Sequence, residues 1–154
     1  MSLKRKMLPI GVENFEKLRR NDMYYVDKTE MISDLIMNHG DANLFTRPRR
    51  FGKTLTMDML KTFFEIGQDA SLFDGLTISS HSDICEKYQN KYPVVFISLK
   101  GATGSTYEKA NSMIKQLVAE EYQRHSYLAD SDILDSIEKD QFNRIRSISL
   151  NEGD

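Results

Sequence analysis

Apolar and polar positions alternate between two rhythms along this chain. Glu13 to Arg20 predicts a short helix, and Tyr24-Tyr25-Val26, rich in β-formers, predicts a short strand. Asp27, with Glu30 at the third position after it, reads as a capping box for a helix whose apolar residues Met31, Ile32, Leu35 and Ile36 recur at helical spacing. His39-Gly40-Asp41 ends that helix, because glycine favours the left-handed position after a last turn. Ala42 to Thr46 is too short for a helix and lies between the glycine stop and a proline, so it predicts a strand. From Thr54 to Ile66, Leu55, Met57, Met59, Leu60, Phe63 and Phe64 cover most of a helix surface. That pattern predicts a helix buried on more than one side, packed against a sheet.

Residues 67–92 are mostly polar, with apolar anchors at Leu72-Phe73 and Leu76 and a short helix predicted around Ile84 to Tyr88. Pro93 then introduces Val94-Val95-Phe96-Ile97-Ser98-Leu99, a near-continuous apolar run of the kind found in interior strands of parallel sheets. Gly101-Ala102-Thr103-Gly104 turns the chain. Ser105 with Glu108 predicts a second capping box, opening a helix over about residues 106–124 with Tyr107, Ala110, Ile114 and Leu117 on one face. From about Ser131 a further helix with Ile133, Leu134 and Ile137 leads into a polar tail. Strand, helix, strand, helix in this order predicts an α/β domain, a parallel sheet with flanking helices and right-handed crossovers, followed by a helical C-terminal part. Few strands are visible against the ~5–6 of a mean sheet, so the sheet reads as incomplete. Its unpaired edge or uncovered apolar surface gives an expectation of self-association.

At 154 residues and 40% hydrophobic, the chain has enough apolar surface for one domain with a single core. The net charge of −2 points to neither a nucleic-acid nor a membrane partner, but the basic residues are concentrated before Thr54, which makes that half the place to look for anion binding. Cys85 is the single cysteine, so no intrachain disulfide forms, as suits a reducing compartment. His39, His81 and His125 are far apart and show no ligand spacing. No stretch approaches the ~20 apolar residues of a membrane span, and Lys4-Arg5-Lys6 is not followed by an apolar signal core, so a cytoplasmic location is expected.

Gly52-Lys53-Thr54, between a predicted strand and a predicted buried helix, matches the second half of the phosphate-loop pattern G-x-x-x-x-G-K-[ST]. The chemistry requires these residue types. Gly52 lets the backbone approach a phosphate, the N–H groups of the loop and helix start point at the anion, and the helix dipole adds favourable potential. Lys53 is the residue expected to reach the β- and γ-phosphates and so to act in catalysis, and the Thr54 hydroxyl is expected to take one position on Mg²⁺. Arg47 stands where the pattern has its first glycine. The competing reading is a basic, solvated loop followed by a core helix, and Arg47, Arg49 and Arg50 suit either.

Leu8-Pro9-Ile10-Gly11 with Phe15-Glu16-Lys17-Leu18, then Tyr24-Tyr25-Val26-Asp27-Lys28-Thr29, then Phe45-Thr46-Arg47-Pro48-Arg49-Arg50-Phe51-Gly52-Lys53-Thr54 carry a resemblance. Over residues 7–101 the chain resembles the bacterial AAA-ATPase-like family, whose members often carry a PD-(D/E)XK nuclease-like region downstream. In that family the loop typically reads R-P-R-R-F-G-K-[ST], so the resemblance makes the missing glycine a family trait. It implies that residues 1–154 are the N-terminal portion of a P-loop nucleotide-binding domain, with ATP and Mg²⁺ as cofactors and the phosphate loop at residues 47–54. It further implies that Arg49, Arg50, Phe51, Gly52, Lys53 and Thr54 hold the phosphates, while Tyr25 and Asp27 line the base and sugar. For those last two, core packing and helix capping remain the competing roles. The Gly101 to Ser105 turn needs no second phosphate-loop reading, since a capped helix start explains it.

An apolar strand ending in Asp or Asp-Glu, which a P-loop ATPase uses to hold Mg²⁺ and position water, is missing from the sequence. The resemblance puts it beyond about Asp154. Two functions stay open: an ATPase whose acidic residues lie downstream, or a non-hydrolysing nucleotide-binding or protein-interaction module. Nucleic-acid binding is a weaker reading, since the Lys4-Arg5-Lys6, Arg19-Arg20 and Arg47 to Arg50 patches are small and lack stacking aromatics, and it would fall to a downstream region.

Overall fold

The computed structural model describes residues 5–38, 40–48, 50–101 and 105–148. Asn14 opens the first helix by accepting a 2.7 Å hydrogen bond from the Lys17 N–H, and α1 runs over Phe15–Arg20. Helix α2 covers Glu30–Asn38 and α3 covers Lys53–Phe64. Short 3-10 turns at Ala70–Phe73 and Thr77–Ser80 lead into α4, Ser82–Tyr88. Farther on, α5 spans Tyr107–Arg124 and α6 spans Ser136–Ser147. Contacts divide the chain into two compact units, residues 1–94 and 95–154.

The N-terminal unit is built on the C-terminal half of α3. Met59 and Phe63 are fully buried with Phe15 of α1 and Ile32 of α2. Phe73 sits between Phe15 and Phe63, with ring centroids 5.0 and 5.3 Å away. Full burial of such a side chain contributes about 1.5–3 kcal/mol. Polar bonds set the register. The Phe15 N–H, left without an intrahelical acceptor at the helix start, donates to Asp58 Oδ2 of α3 at 2.6 Å. Arg19 donates from Nε to the Leu72 carbonyl and from Nη2 to the Asp74 carbonyl, each at 2.7 Å.

The parallel sheet expected from the sequence does not form, and this overturns the α/β, P-loop reading of the fold: the described residues are helical and contain no strand. Their one β-type contact is an isolated parallel bridge between Glu65 and Tyr92, where the Ile66 N–H donates to the Tyr92 carbonyl at 2.9 Å and the Tyr92 N–H to the Phe64 carbonyl at 2.9 Å. Tyr24-Tyr25-Val26, Ala42 to Thr46 and Val94 to Ser98 lie outside helix and strand. A strand is a property of two segments, because its N–H and C=O groups must meet another backbone. Val94 and Phe96 are half-buried while Val95, Ile97 and Leu99 are exposed, so the run is covered on one side only. The Phe96 N–H goes to the Glu121 carboxylate of α5 at 3.1 Å rather than to a ladder. With no sheet there is no sheet edge among the described residues.

In the C-terminal unit the helices start one to several residues from where the sequence put them. Thr106, not Ser105, caps α5, accepting from the Lys109 N–H at 3.3 Å. Asp135 and Glu138 form a capping box for α6, so the helix begins after the exposed Ile133 rather than at Ser131. Tyr122 of α5 packs on Phe142 of α6 at 4.9 Å between ring centroids. The Ala102 to Gly104 part of the predicted turn, His39 and the tail from Ser149 lie outside the described residues.

Phe63→Ala removes the ring that joins α3 to Phe73. It is expected to destabilise the N-terminal unit by about 3–5 kcal/mol, read from urea denaturation followed by far-UV circular dichroism.

Candidate functional site

The loop before α3 ends in Gly52, which caps the helix with φ 74° and ψ 25°. This is the left-handed region, and a side chain there would be strained even though a Cβ would meet only Lys28 Nζ, at 3.7 Å. Gly52 provides no capping side chain. The first N–H groups of α3, which have no intrahelical acceptor, are therefore left without a cap at the positive end of the helix dipole. Arg50 also has a positive φ, 67°, so the chain takes two left-handed steps around Phe51. Lys53, the first residue of α3, folds back on the loop. Its Nζ donates to the Arg47 carbonyl at 2.5 Å and to the Pro48 carbonyl at 3.3 Å.

Two clefts flank this turn. One, of about 330 Å³, is lined by Pro9, Tyr24, Tyr25, Arg50, Gly52 and Leu55 among others, and is largely apolar. The other, of about 350 Å³, takes in Asp34, Phe45, Arg47 and Lys53. Lys28, Phe51 and Thr56 line both. Lys28 Nζ is 3.4 Å from the Phe51 carbonyl. The structure thus brings Tyr25, Arg50, Phe51, Gly52 and Lys53 together around one turn. Thr54 is half-buried in the first turn of α3 and lines neither cleft; Arg49 lies outside the described residues.

Residues 9–152 match the family model described as AAA-ATPase-like, "Predicted AAA-ATPase". The chain belongs to that family. The chain is also similar to an uncharacterized protein in the vnfD 5′ region of Azotobacter chroococcum mcd 1, at 40% identity over 100 residues. That match takes in 64% of this chain and 18% of the relative, so the chain spans well under a third of the relative's length. No solved structure matches.

Two residues suggested for the nucleotide pocket of this AAA-ATPase-like chain behave differently. Tyr25 lines the apolar cleft, and its ring meets Phe15 edge-on at 5.5 Å. Burial pushes its hydroxyl up to about 12, so it stays protonated at neutral pH. Asp27 lines neither cleft. Its Oδ1 accepts from the N–H and hydroxyl of Thr29 at 2.9 and 2.7 Å, and its Oδ2 from the N–H and hydroxyl of Thr77, both at 2.7 Å. The carboxylate is a clasp joining the start of α2 to the turn Thr77–Ser80. The expected capping box with Glu30 gives way to this clasp, and Glu30 pairs with His81 Nε2 at 3.1 Å instead.

Lys28 was not singled out in the sequence. It stands one residue after Asp27 in the Tyr24 to Thr29 block, and only the chain reversal that sets this block beside the loop reveals it. Thr56 was missed for the same reason. Among the described residues no group of three or more His, Cys, Asp or Glu could hold a metal ion, and no helix is long and apolar enough to cross a membrane.

Burial raises the Asp27 pKa, but the donors from Thr29 and Thr77 outweigh it and hold the group below its ordinary value of 3.8. A depressed carboxylate stabilises the fold above its unfolded pKa, and that contribution is lost as pH falls through the folded value. Asp27→Asn is therefore expected to flatten the fall in melting temperature below pH 3.8. Asp27→Ala is expected to cost about 2 kcal/mol at neutral pH, measured by urea denaturation.

Proposed function

We propose that residues 47–54 bind the phosphates of ATP and that this chain is the nucleotide-binding part of an AAA-ATPase-like protein. The observation that carries the reading is the convergence of Lys28, Arg47 and Lys53 on the cleft beside the uncapped N-terminus of α3. A triphosphate is the ligand whose charge and length suit such a place: helix N–H groups meet one phosphate while ammonium and guanidinium groups neutralise the others. The apolar cleft on the other side of Gly52, with Pro9, Tyr24, Tyr25 and Leu55, suits the base and sugar. In this reading Lys53 leaves the Arg47 and Pro48 carbonyls for the β- and γ-phosphates, and Arg49, Arg50 and the Phe51 backbone add to the field around them. Mg²⁺ accompanies the nucleotide, held chiefly by phosphate oxygens, with Thr54 as the hydroxyl that the loop pattern assigns to it.

Nucleotide binding is what these residues support. Hydrolysis needs an acidic group near the metal to position water, and no strand ending in Asp or Asp-Glu is found in the sequence. A second reading, a loop that serves as scaffold or interaction surface without nucleotide, draws on the same Lys53 bonds, which satisfy the ammonium within the loop itself.

A thermal melt with and without ATP-Mg²⁺ separates the readings. Ligand at a hundredfold excess over its Kd stabilises the folded state by about 2.7 kcal/mol, a rise of several degrees in Tm. Wild type is expected to show that rise. Lys53→Ala is expected to lose most of it while melting unchanged without ligand. Equal protection of both proteins overturns the phosphate-loop assignment, and protection of neither supports the scaffold.

A further inference from the structure

Lys28 lies outside the phosphate-loop sequence, and the fold brings it to the loop. Its neighbour Asp27 is fixed by bonds to Thr29 on one side and Thr77 on the other, which sets the direction in which the Lys28 side chain leaves the backbone. Its Nζ lies 3.4 Å from the Phe51 carbonyl and 3.7 Å from where a Cβ on Gly52 would stand. The ammonium therefore hangs over the helix cap, at the border of both clefts. Among the described residues it makes no ion pair, and its bond to Phe51 is long. Opposite it, Pro48 has no N–H to offer an anion, and Lys53 at rest is bonded to the Arg47 and Pro48 carbonyls.

We propose that Lys28 is a second phosphate-binding lysine of this site, contacting the nucleotide where it crosses from the apolar cleft to the cationic one, and so gripping the phosphates nearest the sugar. This rests on the ATP reading. A lysine in that place acts as a movable point charge on a flexible stem, which needs position more than exact orientation. It would meet ADP and ATP alike, since both carry the inner phosphates, and would also attract a free polyphosphate.

The test measures the affinities of ATP-Mg²⁺, ADP-Mg²⁺ and inorganic tripolyphosphate by calorimetry for wild type, Lys28→Ala, Lys28→Arg and Lys53→Ala. Lys28→Ala is expected to weaken all three ligands about tenfold or more, with ADP and ATP affected equally, while Tm without ligand stays within about a degree. Lys28→Arg is expected to keep most of the affinity. If Lys53→Ala loses ATP and Lys28→Ala binds it like wild type, the Lys28 role is overturned and the ATP site stands. Loss of nucleotides with tripolyphosphate unaffected overturns the phosphate contact. So does a loss accompanied by a fall of several degrees in unliganded Tm, which would mean that Lys28 only pins the Phe51 carbonyl. A wild-type chain that binds none of the ligands overturns both readings together.

Discussion

The burial of one end of α3 fixes what its other end can do. Met59, Leu60 and Phe63 cannot turn from the core without exposing a cluster that includes Phe15, Ile32 and Phe73. The Asp58 bond to the Phe15 N–H locks the rotation further. Residues three and four apart share a helix face, so the stripe of Met59, Leu60 and Phe63 continues toward the N-terminus at Thr56. Thr56 is the residue of α3 at which the buried face runs out into both clefts. A twelve-residue helix is about 18 Å long and stiff, so the core holds Gly52 and Lys53 in position without touching them.

Much of this was legible in the sequence. The apolar periodicity from Leu55 to Phe64 and from Met31 to Ile36 gave α3 and α2 within a residue or two, because a helix closes its own hydrogen bonds and its buried face is written locally. The strands were not legible for the complementary reason. Val94 to Leu99 has the composition of an interior strand, yet composition cannot supply a partner backbone, and here the Glu121 carboxylate takes the Phe96 N–H. Chain entry to α5 and α6 was readable only to within a residue or more, since Ser105 and Thr106 are both good caps and geometry alone chose Thr106.

The same division between local and tertiary information runs through the site. Gly52 and Lys53 stand in a contiguous motif and could be read directly. Asp27 does not line the clefts as the block suggested: its carboxylate bonds Thr77, fifty positions away, and the lysine beside it, for which the sequence suggested no part, faces the loop. A motif names which block matters, whereas the pairing of its side chains decides which member meets a ligand. Here the member that bonds the scaffold and the member free to bond a ligand are adjacent, so the rigidity of the first becomes the placement of the second.

The loop's own bonds set how strongly it can bind anything. Lys53 already has carbonyl acceptors, and Arg50 holds a left-handed conformation that costs a residue with a side chain about 1–2 kcal/mol. A ligand gains only the difference between what these groups make with it and what they make without it. A phosphate competes in that exchange because it sets a full negative charge against the ammonium, where a carbonyl offers only a dipole. A neutral ligand offers no such advantage. On the proposed reading, the resting bonds of Lys53 would favour anions over neutral ligands and would weaken the grip on any ligand too short to reach both the helix cap and the lysines around it.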